Sequence, residues 1–162
     1  MRIGVLSDTH IPQRASGLPQ KMLEDFKGVD MVIHAGDLVD LAVLEELKTV
    51  CSDIRGVWGN MDPYEVRQKL PDKQIITAGK FKIGVAHGTG SPHGLLEQMK
   101  TAFQDDKVDL VIFGHSHTPL ITKQGDCLYF NPGSVTDDIF APYRSYGILE
   151  INDTIEAKIV KI

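Results

Sequence analysis

Hydrophobic and polar positions follow one another along this chain with two periods, and together they predict a layered α/β fold. Short apolar runs rich in Val, Ile and Leu are typical of buried strands. They cover residues 2–7, 30–34, 54–58, 81–86 and 109–113. Apolar residues three or four positions apart predict helices at residues 18–27, 39–49 and 94–104. Strands that alternate with amphipathic helices favour an α/β core.

The C-terminal third of the chain has a different pattern. Two extended runs flank Gly125-Asp126 within residues 119–130, and two more flank Asn152-Asp153 within residues 145–162. Turn-forming pairs between extended runs are typical of antiparallel hairpins. We therefore expect two sheets packed face to face, with helices outside, in one domain that covers residues 1–162.

Composition and charge narrow the class of protein. With 42% hydrophobic and 24% charged residues, the chain is expected to be globular rather than disordered. No apolar run approaches the roughly 20 residues of a membrane span, and the start MRIGVLSDTH becomes polar too early for a signal peptide. We therefore expect a cytoplasmic protein with no membrane partner. The net charge of −5 also disfavours binding to a nucleic-acid polymer.

Polar residues that could carry chemistry directly follow all five predicted strands. They are Asp8 and His10, Gly36-Asp37, Gly59-Asn60, His87-Gly88, and Gly114-His115-Ser116-His117. In open α/β sheets, ligands bind at the carboxyl ends of the strands, where the loops converge. Packing alone does not account for five such coincidences, so we expect these residues to form one site.

The donor types in this set indicate a metal site. Two carboxylates, four imidazoles and one carboxamide suit Mn²⁺, Fe, Zn²⁺, Ni²⁺ or Co²⁺ better than the all-oxygen cage of Ca²⁺. Seven donors are too many for one tetrahedral ion. They fit two ions that lie about 3.5–4 Å apart and share a bridging carboxylate. We therefore expect two divalent metal ions, with Mn²⁺ favoured. The two cysteines, Cys51 and Cys127, lack the spacing of a cysteine zinc site.

The order of these motifs resembles the calcineurin-like metallophosphoesterase superfamily, in its small bacterial and archaeal branch. The matching motifs are Asp8-x-His10, Gly36-Asp37, Gly59-Asn60, His87, Gly114-His115-x-His117 and the NPGS of residues 131–134. A single motif of this kind has little specificity, whereas all of them in order are a specific signature. The resemblance implies a metallo-dependent phosphatase-like fold, a four-layer α-β-β-α sandwich of two mixed sheets flanked by helices.

The resemblance also implies roles for the residues at the matching positions. One ion would be bound by Asp8, His10, Asp37 and His117, and the other by Asp37, Asn60, His87 and His115. A hydroxide between the ions would attack the phosphorus of a small phosphate ester, with Asp37, Asn60 and His87 as catalytic residues. Asn60 and His87 would also contact the substrate.

The chain departs from the family pattern at one position. Where the family usually has GNHD or GNHE, with a histidine that assists the leaving group, this chain has GNMD, with Met61 in that place. A thioether cannot donate a proton. We therefore expect a phosphodiesterase that prefers aryl or other activated esters. His93, in HGTGSPHG, is a candidate substitute acid, although a histidine in solvent is the more common outcome for such a loop. Arg14 is a candidate for phosphate binding.

A function from another class remains open. The segment DTHIPQRASGLPQK, residues 8–21, also resembles the scaffold subunit of the eukaryotic retromer coat, which shares the fold and binds proteins. In this alternative the chain would be a non-catalytic metal-binding scaffold. An unused site has no reason to keep all seven donors, which favours the enzyme. A homodimer is the expected assembly, since it is the commonest among soluble proteins.

Overall fold

The computed structural model describes residues 1–162 as ten strands and four α-helices. The strands are β1 (Arg2–Leu6), β2 (Met31–His34), β3 (Ile54–Gly56), β4 (Lys73–Ala78), β5 (Phe81–Ala86), β6 (Leu110–Ile112), β7 (Leu120–Gln124), β8 (Cys127–Asn131), β9 (Ser145–Ile151) and β10 (Ile155–Lys161). The helices are α1 (Gln20–Phe26), α2 (Ala42–Leu47), α3 (Tyr64–Arg67) and α4 (Leu95–Phe103), with a 3-10 turn at Pro92–Gly94. None of the helices has the length and apolar character that crossing a membrane would require.

The strands form two mixed five-stranded sheets. The first sheet has the order β10-β9-β1-β2-β3, and β1, β2 and β3 run parallel. The second has the order β4-β5-β6-β8-β7, in which β5, β6 and β8 run parallel and the two edge strands run antiparallel to their neighbours. Both predicted hairpins, β7–β8 and β9–β10, are present. The predicted fold class, two mixed sheets with flanking helices, is confirmed.

Strand periodicity accounts for the layers. In β1, Ile3 and Val5 are fully buried against the second sheet, while Leu6 belongs to the cluster beneath α1 and α2. A Cβ atom at Gly4 would lie 2.8 Å from the ring of Phe26 in α1, so the absent side chain allows close packing of that helix. On the opposite face of the molecule, α4 packs Phe103 and other residues against the second sheet.

Two elements were not predicted from the sequence. Strand β4 forms a hairpin with β5 through Gly79-Lys80, and α3 is a single short helix of four residues between β3 and β4. Both elements are short, and β4 is an edge strand whose pattern includes charged and polar residues.

The Cys51 thiol is buried, whereas Cys127 is only half-buried.

Edge strand β4 allows a direct test of which face meets the core. Ile76 is 6% exposed and packs between the sheets, while its neighbour Ile75 is 44% exposed. We expect Ile76→Ala to lower the free energy of unfolding by about 2–4 kcal/mol, since an isoleucine removed from a core leaves a cavity. Ile75→Ala should cost less than about 1 kcal/mol. Urea unfolding of both variants measures this, and equal losses would contradict the orientation of β4.

Candidate metal centre

Left-handed backbone conformations place the candidate ligands at the strand ends. Five of the seven have positive φ angles, namely Asp8 (53°), His10 (44°), Asp37 (56°), His115 (68°) and His117 (54°). This region costs a non-glycine residue about 1–2 kcal/mol. Strain of this kind gathers at functional sites, where the surrounding structure holds the backbone in place.

Three donors gather at the end of β1 and the loop after β6. The Nε2 atoms of His10 and His117 lie 3.2 Å apart. Asp8 Oδ1 is 3.3 Å from His117 Nε2 and 3.9 Å from His10 Nε2. Asp37 Oδ2, from the loop after β2, is 3.7 Å from His10 Nε2. The donor atoms of Asp8, His10 and His117 are close enough together to bind one ion.

A second group of donors forms around His87, which follows β5. Its Nε2 atom lies 3.2 Å from Asp37 Oδ2 and 3.7 Å from Asp8 Oδ1. Its Nδ1 atom is 2.7 Å from the carbonyl oxygen of Ala35, to which it donates, because a carbonyl only accepts. His87 Nε2 is buried without a hydrogen bond and faces two carboxylates. A cation between them satisfies all three groups, and the residues therefore fit a divalent metal ion.

Asn60 and His115 lie beside this cluster without joining it. Asn60 Oδ1 is 2.9 Å from His115 Nδ1, and His115 Nε2 is 2.7 Å from the carbonyl oxygen of Gly90. The ring of His115 lies edge-on to that of His87, with the centroids 5.4 Å apart. The structure thus brings five of the seven predicted ligands together and pairs the other two next to them. The division of the seven between two ions stays a prediction.

Charge compensation within the cluster shifts several pKa values. Burial alone would raise the pKa of Asp8, but the imidazoles of His87 and His117 lower it to about 2. Burial would likewise lower the pKa of His87, yet Asp8 and Asp37 raise it to about 9. In His10 burial prevails, and its pKa is lowered. Without metal, a protonated His87 therefore offsets part of the buried negative charge.

His34 at the end of β2 is buried and neutral. Its Nδ1 accepts a hydrogen bond from the amide of Gly36 (3.2 Å), and its Nε2 lies 3.2 Å from Thr9 Oγ1. Burial lowers its pKa to about 3. Since both ring nitrogens have partners, His34 supports the adjoining loops and is not a candidate ligand.

Asp62, which follows Met61, fixes the loop that carries Asp37. Its carboxylate accepts hydrogen bonds from the amides of Gly59 (2.7 Å), Asp37 (2.9 Å) and Val39 (2.6 Å). Burial raises its pKa. A side chain at Gly59 would collide with Asp37 Oδ1, so glycine is required at this close approach. Asp62 thus connects the loops after β2 and β3.

The segment of residues 131–137 joins loops from the two sheets. Asn131 Nδ2 donates to the carbonyl oxygen of Gly114 (2.7 Å), and Ser134 Oγ donates to that of Asp8 (2.7 Å). Asp137, at the end of the segment, contacts His117 Nδ1. NPGS resembles a family motif, but no sequence pattern marks Asp137, because buried polar residues in a loop have no periodic pattern.

A cleft of about 350 Å³ opens over the candidate ligands. Arg14, Met61 and Phe140 line it beside His10, Asp37, Asn60, His115 and His117. The guanidinium of Arg14 lies 5.2 Å from the centroid of the Phe140 ring. His93 does not line this cleft and instead lines a separate groove next to Leu96 and Leu120.

Known proteins resemble this chain over its full length. A probable metallophosphoesterase of Methanocaldococcus jannaschii is 39% identical over 163 residues, which cover 100% of this chain and 82% of the relative. A zinc-complexed Vps29 of Entamoeba histolytica is 28% identical with a TM-score of 0.81 and covers 99% of both chains. A structure described as an archaeal phosphodiesterase is 25% identical with a TM-score of 0.79 and covers 100% of both chains.

The family itself is identified by a sequence model. The model of the calcineurin-like phosphoesterase superfamily domain matches residues 1–154. The match contains every candidate ligand and the whole of the 131–137 segment, and it agrees with the resemblance drawn from the motifs. On this evidence the chain belongs to the calcineurin-like phosphoesterase superfamily.

Proposed function

We propose that this protein is a metal-dependent phosphodiesterase that hydrolyses small phosphate esters with two divalent metal ions, Mn²⁺ in the first place. Membership in the superfamily makes phosphoester hydrolysis with divalent metal the general expectation. The observation that supports the finer proposal best is His87, whose buried and unpartnered Nε2 faces the carboxylates of Asp8 and Asp37. Such an arrangement is costly without a cation.

The proposed reaction assigns each of the seven ligands a position. Asp8, His10, Asp37 and His117 would hold one ion, and Asp37, Asn60, His87 and His115 the other. When bound, the ions supply an activated water as nucleophile and positive charge that neutralises the phosphoryl oxygens. Asn60 and His115 lie at the exposed side of the cluster. Their mutual hydrogen bond would break when both bind metal. Asn60 and His87 would border the reacting phosphate.

The cleft above the ligands favours diesters with activated leaving groups. Met61 is 53% exposed at the position where a proton donor is usual, and the histidines that line the cleft, His10, His115 and His117, are assigned to metal. Phe140, 68% exposed, offers an apolar face to an aromatic ester group. Arg14 supplies positive charge near the mouth, suited to a phosphoryl oxygen.

The alternative of a protein-binding scaffold is supported by the likeness to Vps29. That likeness covers almost the whole chain, and the structure compared is described as a zinc complex. Metal binding alone therefore does not separate the two functions. Catalytic turnover does separate them.

Metal-stripped protein should hydrolyse bis-p-nitrophenyl phosphate only after Mn²⁺ or another divalent ion is added. Asp37→Asn should lower kcat/KM by at least about 10²-fold, because the carboxylate nearest His87 is lost. Release of p-nitrophenolate measures the rate. Asp40→Asn is the matched control, because Asp40 is an exposed carboxylate in the same loop. Metal binding without turnover for any ion would instead support the scaffold.

The stability of the metal-free protein should fall as pH rises from about 6.5 to about 9. The folded pKa of His87 is raised from 6.5 to about 9, so its protonation stabilises the fold fully below 6.5 and is lost as pH rises through 9. Saturating Mn²⁺ should reduce this loss, because the ion replaces the proton. Thermal unfolding across this range, with His87→Gln as comparison, measures it. A metal-free melting temperature that rises with pH would contradict the charge balance described for the site.

Restoring a proton donor should widen the range of substrates. Met61→His should raise kcat/KM for a 3′,5′-cyclic nucleotide, which has an alkoxide leaving group, by about 10²-fold, because general acids contribute about 10²–10⁴-fold. Bis-p-nitrophenyl phosphate, whose leaving group needs no proton, serves as the internal control and should change less than about 3-fold. Equal gains on both substrates would show that Met61 does not mark the place of a missing acid.

A further inference from the structure

The carboxylate of Asp137 is buried beside the candidate metal centre but does not belong to it. The residue has no exposed surface. Its Oδ2 atom contacts Nδ1 of His117, on the side of the ring opposite the cluster. The Nε2 atom of the same ring points at Asp8 Oδ1 (3.3 Å) and His10 Nε2 (3.2 Å). The imidazole thus lies between a carboxylate behind it and the donor cluster in front.

The carboxylate and the backbone amide of Asp137 are both held by hydrogen bonds to backbone or hydroxyl groups. Its Oδ1 atom accepts hydrogen bonds from the amides of Ile139 (2.8 Å) and Phe140 (3.2 Å). Its own amide donates to Ser134 Oγ (3.1 Å), and that hydroxyl donates to the carbonyl oxygen of Asp8 (2.7 Å). Since two amides already occupy Oδ1, the carboxylate cannot rotate without losing them. Oδ2 is therefore held facing His117.

A carboxylate in this position determines which nitrogen of the ring bears the proton. Ionised carboxylates only accept hydrogen bonds, so the His117 Nδ1 must donate. The neutral ring then has its free lone pair on Nε2, the atom that faces the cluster. An imidazole with the opposite tautomer would present an N–H to the site and could not bind an ion there.

We propose that Asp137 is a positioning residue that holds His117 in the Nδ1-protonated form and so leaves Nε2 free to bind metal. This inference rests on the proposed function, because it assigns His117 to a metal ion. Partners of this kind commonly affect metal affinity by about 10–100-fold. Through Oδ1, the same carboxylate also fixes the backbone of Phe140, and it lies 3.9 Å from Arg14. It therefore connects the metal centre with the lining of the cleft.

Asp137→Asn separates this role from general support of the loop. The amides of Ile139 and Phe140 require an acceptor, so the carbonyl oxygen of the new side chain should stay at the Oδ1 position. Its NH₂ group would then face His117 Nδ1 and turn that nitrogen into an acceptor. The ring would carry its proton on Nε2, the wrong side for metal. We expect Mn²⁺ affinity, measured by calorimetry, to fall about 10–100-fold.

Asp138→Asn is the matched control, since it makes the same chemical change one residue away. Asp138 is 73% exposed in its side chain and pairs with Arg144 at 3.1 Å. The Mn²⁺ affinity of the Asp138→Asn variant should equal that of the unaltered protein within about 2-fold. Unchanged affinity in Asp137→Asn, with normal binding by the unaltered protein, would overturn the inference while leaving the proposed function intact. Absence of metal binding in the unaltered protein would overturn both.

Nitrogen-15 NMR of the histidine rings reports which nitrogen of His117 bears the proton, and a change in loop stability alone would not alter this signal. In metal-free, unaltered protein in alkaline solution, the His117 signal should be that of the Nδ1-protonated form. The signal is assigned by comparison with His117→Gln. A spectrum of the Nε2-protonated form would overturn the inference, whether or not Asp137→Asn folds. In the folded Asp137→Asn variant, the signal should change to the Nε2-protonated form.

Discussion

Burial of two carboxylates against three imidazoles is the interaction on which the rest of this site depends. Asp8 and Asp37 are excluded from water, and charges in such surroundings are tolerated only when opposite charge is close by. Protons on the imidazoles can supply it in part, as the raised pKa of His87 indicates. Divalent ions would supply more charge at the same place. The preference of the site for cations thus follows from its burial, in a protein with net negative charge.

The same constraint explains why the fold devotes so much polar structure to loops. Asp8, His10, Asp37 and Asn60 come from the first sheet, and His87, His115 and His117 come from the second. Their side chains meet only if the two sheets keep their relative position. The apolar core between the sheets provides the coarse alignment. The amide of His115, which donates to Asp8 Oδ2 at 3.0 Å, and the 131–137 segment provide the fine alignment across the gap.

Strand periodicity and the position of polar residues after strands were sufficient to predict the two sheets and the gathering of Asp8, His10, Asp37, His87 and His117. These signals are local in the sequence. Because the carboxyl ends of parallel strands meet at one edge of a sheet, the residues that follow those strands are expected to lie close together. Edge strand β4 was missed because its sequence, KQIITA, mixes polar and apolar residues. The roles of Asp137 and Asp62 could not be predicted from the sequence, for a different reason. Their function depends on which backbone amides and ring nitrogens surround them, and only the folded chain defines those neighbours.

The 131–137 segment has a consequence for how the protein acquires its site during synthesis. Ser134 reaches Asp8 across 126 positions of sequence, and His115 reaches the same residue across 107. Contacts of such separation form late in folding, because distant parts of the chain must first be brought together. A chain emerging from the ribosome can form β1 to β3 early, yet it lacks His115, His117 and Asp137 until most of the protein has been made. The nascent chain therefore presents only fragments of the donor set, and the complete set exists only in the finished fold.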